Sequence, residues 1–415
     1  MLNDISLALD WLYNQKKLKP REDLSRIKKC LELLEIKTPY KIIHIAGTNG
    51  KGSTASYLKN MLMLDNKRVG FFVSPYVICF NERIQINDEY ISDSEVLKYV
   101  SYLQEFSEEY QTKYNDIIPF FELTFLMALL YFQDKKIDIA IIECGLGGLL
   151  DATNCLDTTV SVITNIGYDH QAQLGFTLKE IANHKLGIIK KGKPCFTGTS
   201  KELKAHFQAY ANKLSSPIIF IEEDVSDIHY TNQLSFSYKE ESYQTTLAGS
   251  YQAYNASLAI AVIKYLNPNY PKSLIDIALL NTKWPGRFEE ILPNVILDGA
   301  HNLDGTQALV NSLKLKYPNF HIKVVFTALK DKAIKDMLKL LDEVTDYYYF
   351  TTIDDKRATS TDFFKDLTTK QYKLITSYKE AITEAVDTKD DSLIVITGSL
   401  HFISQAREYI ISLKS

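Results

Sequence analysis

Cysteine is scarce and scattered in this chain. The five residues, at 30, 79, 144, 155 and 195, are odd in number and share no CxxC spacing. That excludes a disulfide framework or a cysteine-built zinc site and fits reduced thiols in a cytoplasmic protein. Long apolar runs are lacking too. The most apolar stretch, Ile117 to Phe132, contains Pro119 and Glu122, is too short to span a bilayer, and reads as a buried helix. The first residues, MLNDISLALDWLYNQKK, place acids among apolar positions and are not expected to form a signal peptide. Net charge is low, −4, so nothing draws the chain to nucleic acid or an anionic membrane, and a substrate anion must meet local basic groups. Repeats and low-complexity segments are absent. What is present, 415 residues of which 46% are hydrophobic, supports large cores and two or three domains.

The strongest local signal is Lys41 to Thr54, KIIHIAGTNGKGST. Ile42 to Ala46 reads as a buried parallel strand, residues 47–53 as a glycine-rich turn, and Ala55 to Leu64 as a helix. This arrangement cradles a phosphate. Gly47, Gly50 and Gly52, with Asn49 between them, let backbone N–H groups turn inward, the helix start adds partial positive charge, and Lys51 adds a full one. Ser53 or Thr54 offers a hydroxyl to magnesium. The loop departs from the G-x-x-x-x-G-K-[ST] spacing, since a glycine separates Lys51 from Ser53.

Further along, strands at 68–74, 138–145 and 159–166 alternate with helices, which predicts a parallel sheet covered on both faces. Gln85 to Ile91 reads as a small hairpin, and two short helices precede the first strand. Functional side chains in such sheets lie at the carboxyl ends of strands. That rule selects the phosphate loop, Ser74, Glu143 and the segment with Asn165, Asp169 and His170. Magnesium needs only a carboxylate, a hydroxyl and nucleotide oxygens besides its waters. Thr177-x-x-Glu180 reads as a capping box and fixes the phase of the next helix. Leu178, Ile181, Ala182, Lys185 and Ile189 then share one apolar stripe, while Lys179, Lys190 and Lys191 point away. A lysine on a buried face is either snorkelling or held as a reactive neutral amine for the phosphate or metal site.

Residues 228–247 alternate polar and apolar and predict antiparallel strands on a sheet edge. An apolar helix follows from Ala253 to Leu266, with Asn255 in its first turn. Trp284-Pro285-Gly286-Arg287 marks the expected domain joint, giving domains 1–286 and 287–415. Beyond it, strands near 295–298, 322–327, 346–351, 372–375 and 393–397 predict a smaller doubly wound domain, with Asp298-Gly299-Ala300-His301-Asn302 ending its first strand.

Taken together, HIAGTNGKGS, SPYVICFNERI, IIECGLGG-x-x-DATN, ITNIGYDH, HKLGIIK, WPGRFE, ILDGAHN and ITGSL resemble, in content and order, the folylpolyglutamate synthases. These sit with dihydrofolate synthases in the ATP-dependent Mur ligase superfamily. The resemblance spans about residues 41–400. It implies an α/β architecture: a P-loop parallel-sheet ATPase domain followed by a smaller Rossmann-like domain. It implies that Lys51, Gly52 and Ser53 bind ATP phosphates, and that Ser74, Glu143 and His170 ligate magnesium at what are expected to be two metal sites. Lys185 matches a lysine carried as a carbamate. Asn255, Arg287, Asp298 and His301 match nucleotide-contacting and interdomain catalytic positions. Phe121, Glu122 and Asp151, with Arg83 beside them, match the region holding the folate. Leu149 stands where the family often has Arg, and His184 where many members have Glu, though helix phase points His184 outward.

The implied reaction activates a carboxylate of a reduced folate with ATP as an acyl phosphate, which the amine of L-glutamate attacks. The cleft between the domains is expected to close with Trp284 to Phe288 as hinge. Lys185, Asp298 and His301 are the expected catalytic residues. His301 is read as placing the glutamate or shuttling its proton, against a loop histidine that caps its own turn. A cytoplasmic monomer acting on small molecules alone is expected. Alternatives are a bifunctional enzyme that also acts on dihydropteroate, a muramyl ligase, and a nucleotide-binding module without chemistry.

Overall fold

The structure, a computed structural model, describes residues 4–16, 23–387 and 390–413. Residues 1–3 and 17 of the N-terminal stretch discussed above lie outside it. Compactness does not follow a single cut in the chain. One unit comprises Met1–Ile166, His170–Glu222 and Asn255–Ala278, and the other Gly167–Asp169, Glu223–Tyr254 and Leu279–Ser415.

The first unit is built on an eight-stranded sheet. Its strands are β1 (Lys41–Ala46), β2 (Val69–Phe72), β3 (Ile84–Ile86), β4 (Glu89–Tyr90), β5 (Ile139–Glu143), β6 (Val160–Ile163), β7 (Cys195–Thr197) and β8 (Ile218–Phe220). They lie in the order β4-β3-β2-β5-β1-β6-β7-β8. From β2 to β8 all neighbours are parallel, and the β3–β4 hairpin closes one edge antiparallel. Its helices are α1 (Ile5–Tyr13), α2 (Ser25–Leu33), α3 (Lys51–Leu64), α4 (Asp93–Tyr114), α5 (Phe120–Lys135), α6 (Gln171–Leu174), α7 (Leu178–Leu186) and α8 (Lys201–Lys213), with most of α9 (Gln252–Leu266) and α10 (Lys272–Asn281). The central strands are mostly apolar and buried because helices cover both faces, with His44 in β1 and Ser161 in β6 as buried polar exceptions. Helix α5, buried from Leu123 to Phe132, anchors the larger core.

Local signals specify the helix starts. Ser92 accepts from the Glu95 amide at 3.3 Å to open α4. Thr177 Oγ1 accepts from the Glu180 amide at 3.2 Å, and Glu180 returns the bond to the Thr177 amide at 2.9 Å, completing the capping box that opens α7. Ile181, Ala182, Lys185 and Leu186 are buried, as the stripe requires, but the helix ends at Leu186. Ile189 is therefore buried from a following turn. Two side chains expected to face outward do not. His184 is half-buried with its Cβ over Gly147, and Lys190 turns in to donate to the Asn154 carbonyl and side-chain oxygens, both at 2.8 Å. Lys190 lies past the helix end, where helix phase no longer applies.

The second unit carries a six-stranded sheet, ordered β12 (Glu289–Leu292), β13 (Val295–Asp298), β17 (Leu393–Thr397), β14 (Ile322–Phe326), β15 (Tyr347–Thr352) and β16 (Gln371–Ser377). All pairs are parallel except β12–β13. Helices α11 (Leu303–Lys316), α12 (Ile334–Leu341), α13 (Tyr378–Val386) and α14 (Leu400–Ser412) cover it. The five strands expected from the apolar runs are all present, while β12 and α10 had no such signal. The alternating segment is corrected. β9 (Val225–Tyr230), β10 (Leu234–Tyr238) and β11 (Glu241–Thr245) form a three-stranded antiparallel sheet of their own rather than an edge of a larger one.

Candidate active site

The carboxyl ends of β1, β2, β5 and β6 supply the site in the first unit. The loop after β1 is shaped by its neighbours. Gly47 has φ +152°, and a Cβ there would lie 1.8 Å from Thr164 Oγ1. Asn165, just past β6, accepts from the Thr48 amide through its carbonyl (3.1 Å) and from the Asn49 amide through its side chain (2.8 Å). Gly50, with φ +84°, lies under Asn255 of α9. Lys51, Gly52, Ser53 and Thr54 then form the first turn of α3, a helix start whose partial positive charge suits an anion. Thr54 Oγ1 is buried without a hydrogen-bond partner.

Glu143 ends β5, 4% exposed, and carries the charge opposite this loop. Its Oε2 accepts from the Ser74 amide at 3.1 Å, and its Oε1 lies 3.8 Å from Lys51 Nζ. Lys51 also donates to the Gly47 carbonyl at 3.1 Å. A buried carboxylate, a half-buried hydroxyl at Ser74 and the α3 hydroxyls make a hard-oxygen set, which fits magnesium completed by phosphate oxygens and water. Among the described residues no three His, Cys, Asp or Glu side chains gather as a self-sufficient metal cage. His170 is exposed, in the left-handed region (φ +50°), at the start of α6.

Lys185 is 3% exposed, so its amine is enclosed rather than snorkelling. The loop from Gly145 to Asn154 is clasped against its helix. The Leu149 amide donates to the His184 carbonyl at 2.6 Å, and a Cβ on Gly148 would sit 3.2 Å from Lys185 Cα. Asn154 Nδ2 donates to the carbonyls of Leu149 and Gly187, both at 3.0 Å. Asp151, expected against the folate, organises this loop. It accepts from the amides of Gly145, Leu146 and Thr153 and from the Thr153 hydroxyl. Burial pushes its carboxyl above the usual range, and these bonds oppose that.

The other folate candidates divide. Glu122 is held by Arg26 of α2 in a two-pronged pair at 2.8 and 2.5 Å, with Asp116 3.7 Å from the same guanidinium. Arg26 had no sequence signal. Phe121 is half-buried, packs beside Phe72 at 5.8 Å, and lies against Gly145. Arg83 is 8% exposed, between the rings of Tyr76 (5.1 Å) and Phe120 (5.5 Å).

In the second unit, Asp298 ends β13 and is 3% exposed. Its Oδ2 accepts from the Tyr251 hydroxyl (3.0 Å) and the Phe288 amide (2.8 Å), and its Oδ1 from the Ala300 amide (2.9 Å). Burial raises its carboxyl, and the Arg287 guanidinium pulls it back. His301 directs Nδ1 to the Gly299 carbonyl at 2.8 Å, bonding within its own turn, and Nε2 to Asp169 at 3.3 Å. Asp169 also receives Lys332 Nζ at 2.7 Å and Asn302 Nδ2 at 3.1 Å. Lys332 was missed, although its place in the loop after β14 satisfies the carboxyl-end rule.

The Mur ligase middle domain matches residues 45–263, and the glutamate ligase domain of Mur ligases matches residues 286–400. The dihydrofolate synthase/folylpolyglutamate synthase of Bacillus subtilis is 35% identical over 97% of this chain and 98% of its own length. The folylpolyglutamate synthase of Lacticaseibacillus casei is 32% identical over 90% of this chain and 91% of its own. The chain belongs to the folylpolyglutamate/dihydrofolate synthase family of Mur ligases. A solved structure of the E. coli member FolC with DHPP and ADP superposes with a TM-score of 0.88 at 26% identity, covering 99% of this chain and 98% of that one. The P-loop and Rossmann-like α/β architecture expected of the family is thus present, in a ligase. No described helix is long and apolar enough to cross a membrane.

Proposed function

We propose that this chain joins L-glutamate to a reduced folate at the expense of ATP, through an acyl phosphate, releasing ADP and phosphate. The observation that carries the reading is the convergence of Lys51, Glu143 and the Ser74 amide at the mouth of the α3 phosphate loop, in a chain with full-length folate-ligase relatives. The folate carboxylate attacks the γ-phosphorus, the bond to the β-phosphate oxygen breaks, and ADP leaves with its electron pair. The glutamate amine then attacks the acyl carbon and phosphate departs. Most of the protein's work is placement and charge neutralisation.

Lys51 and the α3 N–H groups hold the phosphates. Glu143 and Ser74 would hold one magnesium ion, and His170 a second with Lys185, supplying positive charge to the transferring group. Lys185 is assigned the carbamate of the family. Its amine would add to carbon dioxide with loss of a proton, turning an enclosed cation into an oxygen ligand. Asn255 and Arg287 are placed at the nucleotide. Asp298 fixes the turn that carries His301; His301 is assigned to placing the glutamate or shuttling its proton, and Lys332 offers positive charge to a glutamate carboxylate. We assign the chain as a cytoplasmic monomer, divided functionally at 286/287.

A second reading, in which dihydropteroate is also a substrate, is favoured by the name of the Bacillus subtilis relative, which joins both activities. One assay separates the possibilities. ADP release should require ATP, glutamate and a reduced folate together, and should fail when any one is omitted. Release with dihydropteroate in place of the folate would establish the second activity, and its absence would remove it.

A further inference from the structure

Tyr251 is the residue before α9, and its hydroxyl meets the end of β13. It donates at 3.0 Å to Asp298 Oδ2, the same oxygen that takes the Phe288 amide at 2.8 Å. Among the described residues Tyr251 is the one side chain that hydrogen-bonds this carboxylate. The backbone on the far side of the bond is strained. Phe288 is buried yet holds φ +51°, which a bulky residue keeps only where its surroundings impose it. The adjoining backbone is tied down as well, since the Gly299 amide donates to the Gly286 carbonyl at 2.9 Å. Arg287 lies between these anchors, half-buried, with Nη1 3.2 Å from the Gly286 carbonyl and 2.3 Å from where a Cβ on Gly299 would stand. Tyr251 itself has little freedom. A Cβ on Gly249 would lie 2.4 Å from its ring, and the Ser250 amide donates to Ser312 Oγ of α11 at 2.9 Å.

We infer that Tyr251 is a positioning residue for the nucleotide: its hydroxyl pins Asp298 to the Phe288 amide and so keeps the left-handed turn from which Arg287 is presented. Two physical effects act together. The first is geometric, because the phenol and the amide share one oxygen, and losing the phenol lets the carboxylate rotate away from the strained turn. The second is a competition for Arg287. Burial raises the Asp298 carboxyl, and the Arg287 charge, the Tyr251 hydroxyl and the backbone amides oppose that. Without the hydroxyl, the buried carboxylate draws the guanidinium toward itself, since a carboxylate and a guanidinium pair readily where water is excluded. A guanidinium committed to Asp298 is withdrawn from the nucleotide. The inference rests on the ligase reading above, which places Arg287 at the nucleotide.

The test measures ATP-analogue affinity and steady-state kinetics in Tyr251→Phe, Arg287→Met and the double variant. Tyr251→Phe keeps the ring over Gly249 and removes only the hydroxyl. It should weaken analogue binding by about ten-fold, the scale of a hydrogen bond to a charged group, and raise KM for ATP while KM for the folate stays unchanged. In the Arg287→Met background the same change should cost nothing further, because two residues that act through one contact are not additive. Ser312→Ala is the structural control. It removes a bond from the segment before Tyr251 without touching Asp298, and should lower the melting temperature while leaving ATP affinity unchanged. Unchanged ATP affinity in Tyr251→Phe, additive losses in the double variant, or an equal loss in Ser312→Ala overturns the inference. Failure of wild type to release ADP with any reduced folate and glutamate would instead strike the ligase reading.

Discussion

Gly50 and Asn255 interlock: a Cβ on Gly50 would stand 2.3 Å from Asn255 Oδ1, and Gly50 holds φ +84°. A side chain at Gly50 is therefore strained in its backbone and displaces Asn255 or the phosphate loop. Gly50→Ala should weaken binding of an ATP analogue by roughly ten-fold or more, since left-handed strain alone costs about 1–2 kcal/mol. Gly192 is the control, with φ +70° but nothing within 4 Å of a Cβ. Gly192→Ala should lower stability slightly and leave nucleotide titrations unchanged. Equal nucleotide affinity in Gly50→Ala would show that the loop tolerates the shift.

Glu143 holds two positions at once, accepting from the Ser74 amide and facing Lys51. Glu143→Gln keeps an acceptor for that amide and removes the charge. The expected result is a folded protein whose kcat falls by roughly 100-fold, on the order of removing one electrostatic contact at a reacting group, with a higher magnesium requirement. Rates measured across a magnesium titration decide it. A curve that overlays wild type refutes the assignment of Glu143 to the metal.

What the sequence made legible was local. The glycine loop, the Thr177–Glu180 box and the five apolar strands of the second sheet each carry their signal within a few residues. The carboxyl-end rule then pointed to Ser74 and Glu143 without knowledge of their partners. Partnerships across long separations left no such trace. Arg26 lies 96 residues from Glu122, and Lys332 lies 163 from Asp169, so neither pairing shows in spacing or periodicity. Those partners add to the readings: Glu122 and Asp151, matched to the folate region by resemblance, are also engaged within the protein. His184 and Lys190 were misplaced for a related reason, because helix phase says nothing about a loop folded back onto the helix or about residues beyond its end.

Lys185 offers a direct chemical test of its enclosed amine. Lys185→Ala should abolish ligation, a fall of roughly 100-fold or more if it serves the transferring phosphate. If the missing group is an anion, short carboxylates such as acetate should restore part of the rate, whereas methylamine should not. Nucleotide binding by the variant reports that the fold survives. Wild-type turnover in Lys185→Ala would remove the residue from the chemistry.

His44 lies in the middle of β1, fully enclosed, with Nε2 against the Thr153 hydroxyl at 2.8 Å and Cys144 Sγ at 3.1 Å. Burial, aided by the charge of Lys190, lowers its pKa from 6.5 to about 3. The unfolded chain therefore takes up a proton at this residue as pH falls below 6.5, while the folded protein keeps the ring neutral until near pH 3. More protons on the unfolded side means that stability falls with falling pH, by up to about 1.4 kcal/mol per pH unit from this residue alone. His44→Gln removes that proton while keeping a polar group against Thr153. Urea unfolding at pH 7.5, 6 and 5 should show the variant less stable than wild type at pH 7.5 but losing less stability on acidification. Identical pH slopes in the two proteins would mean that the imidazole at 44 takes up its proton equally well folded and unfolded, and that the apolar strand around it imposes no barrier to charge.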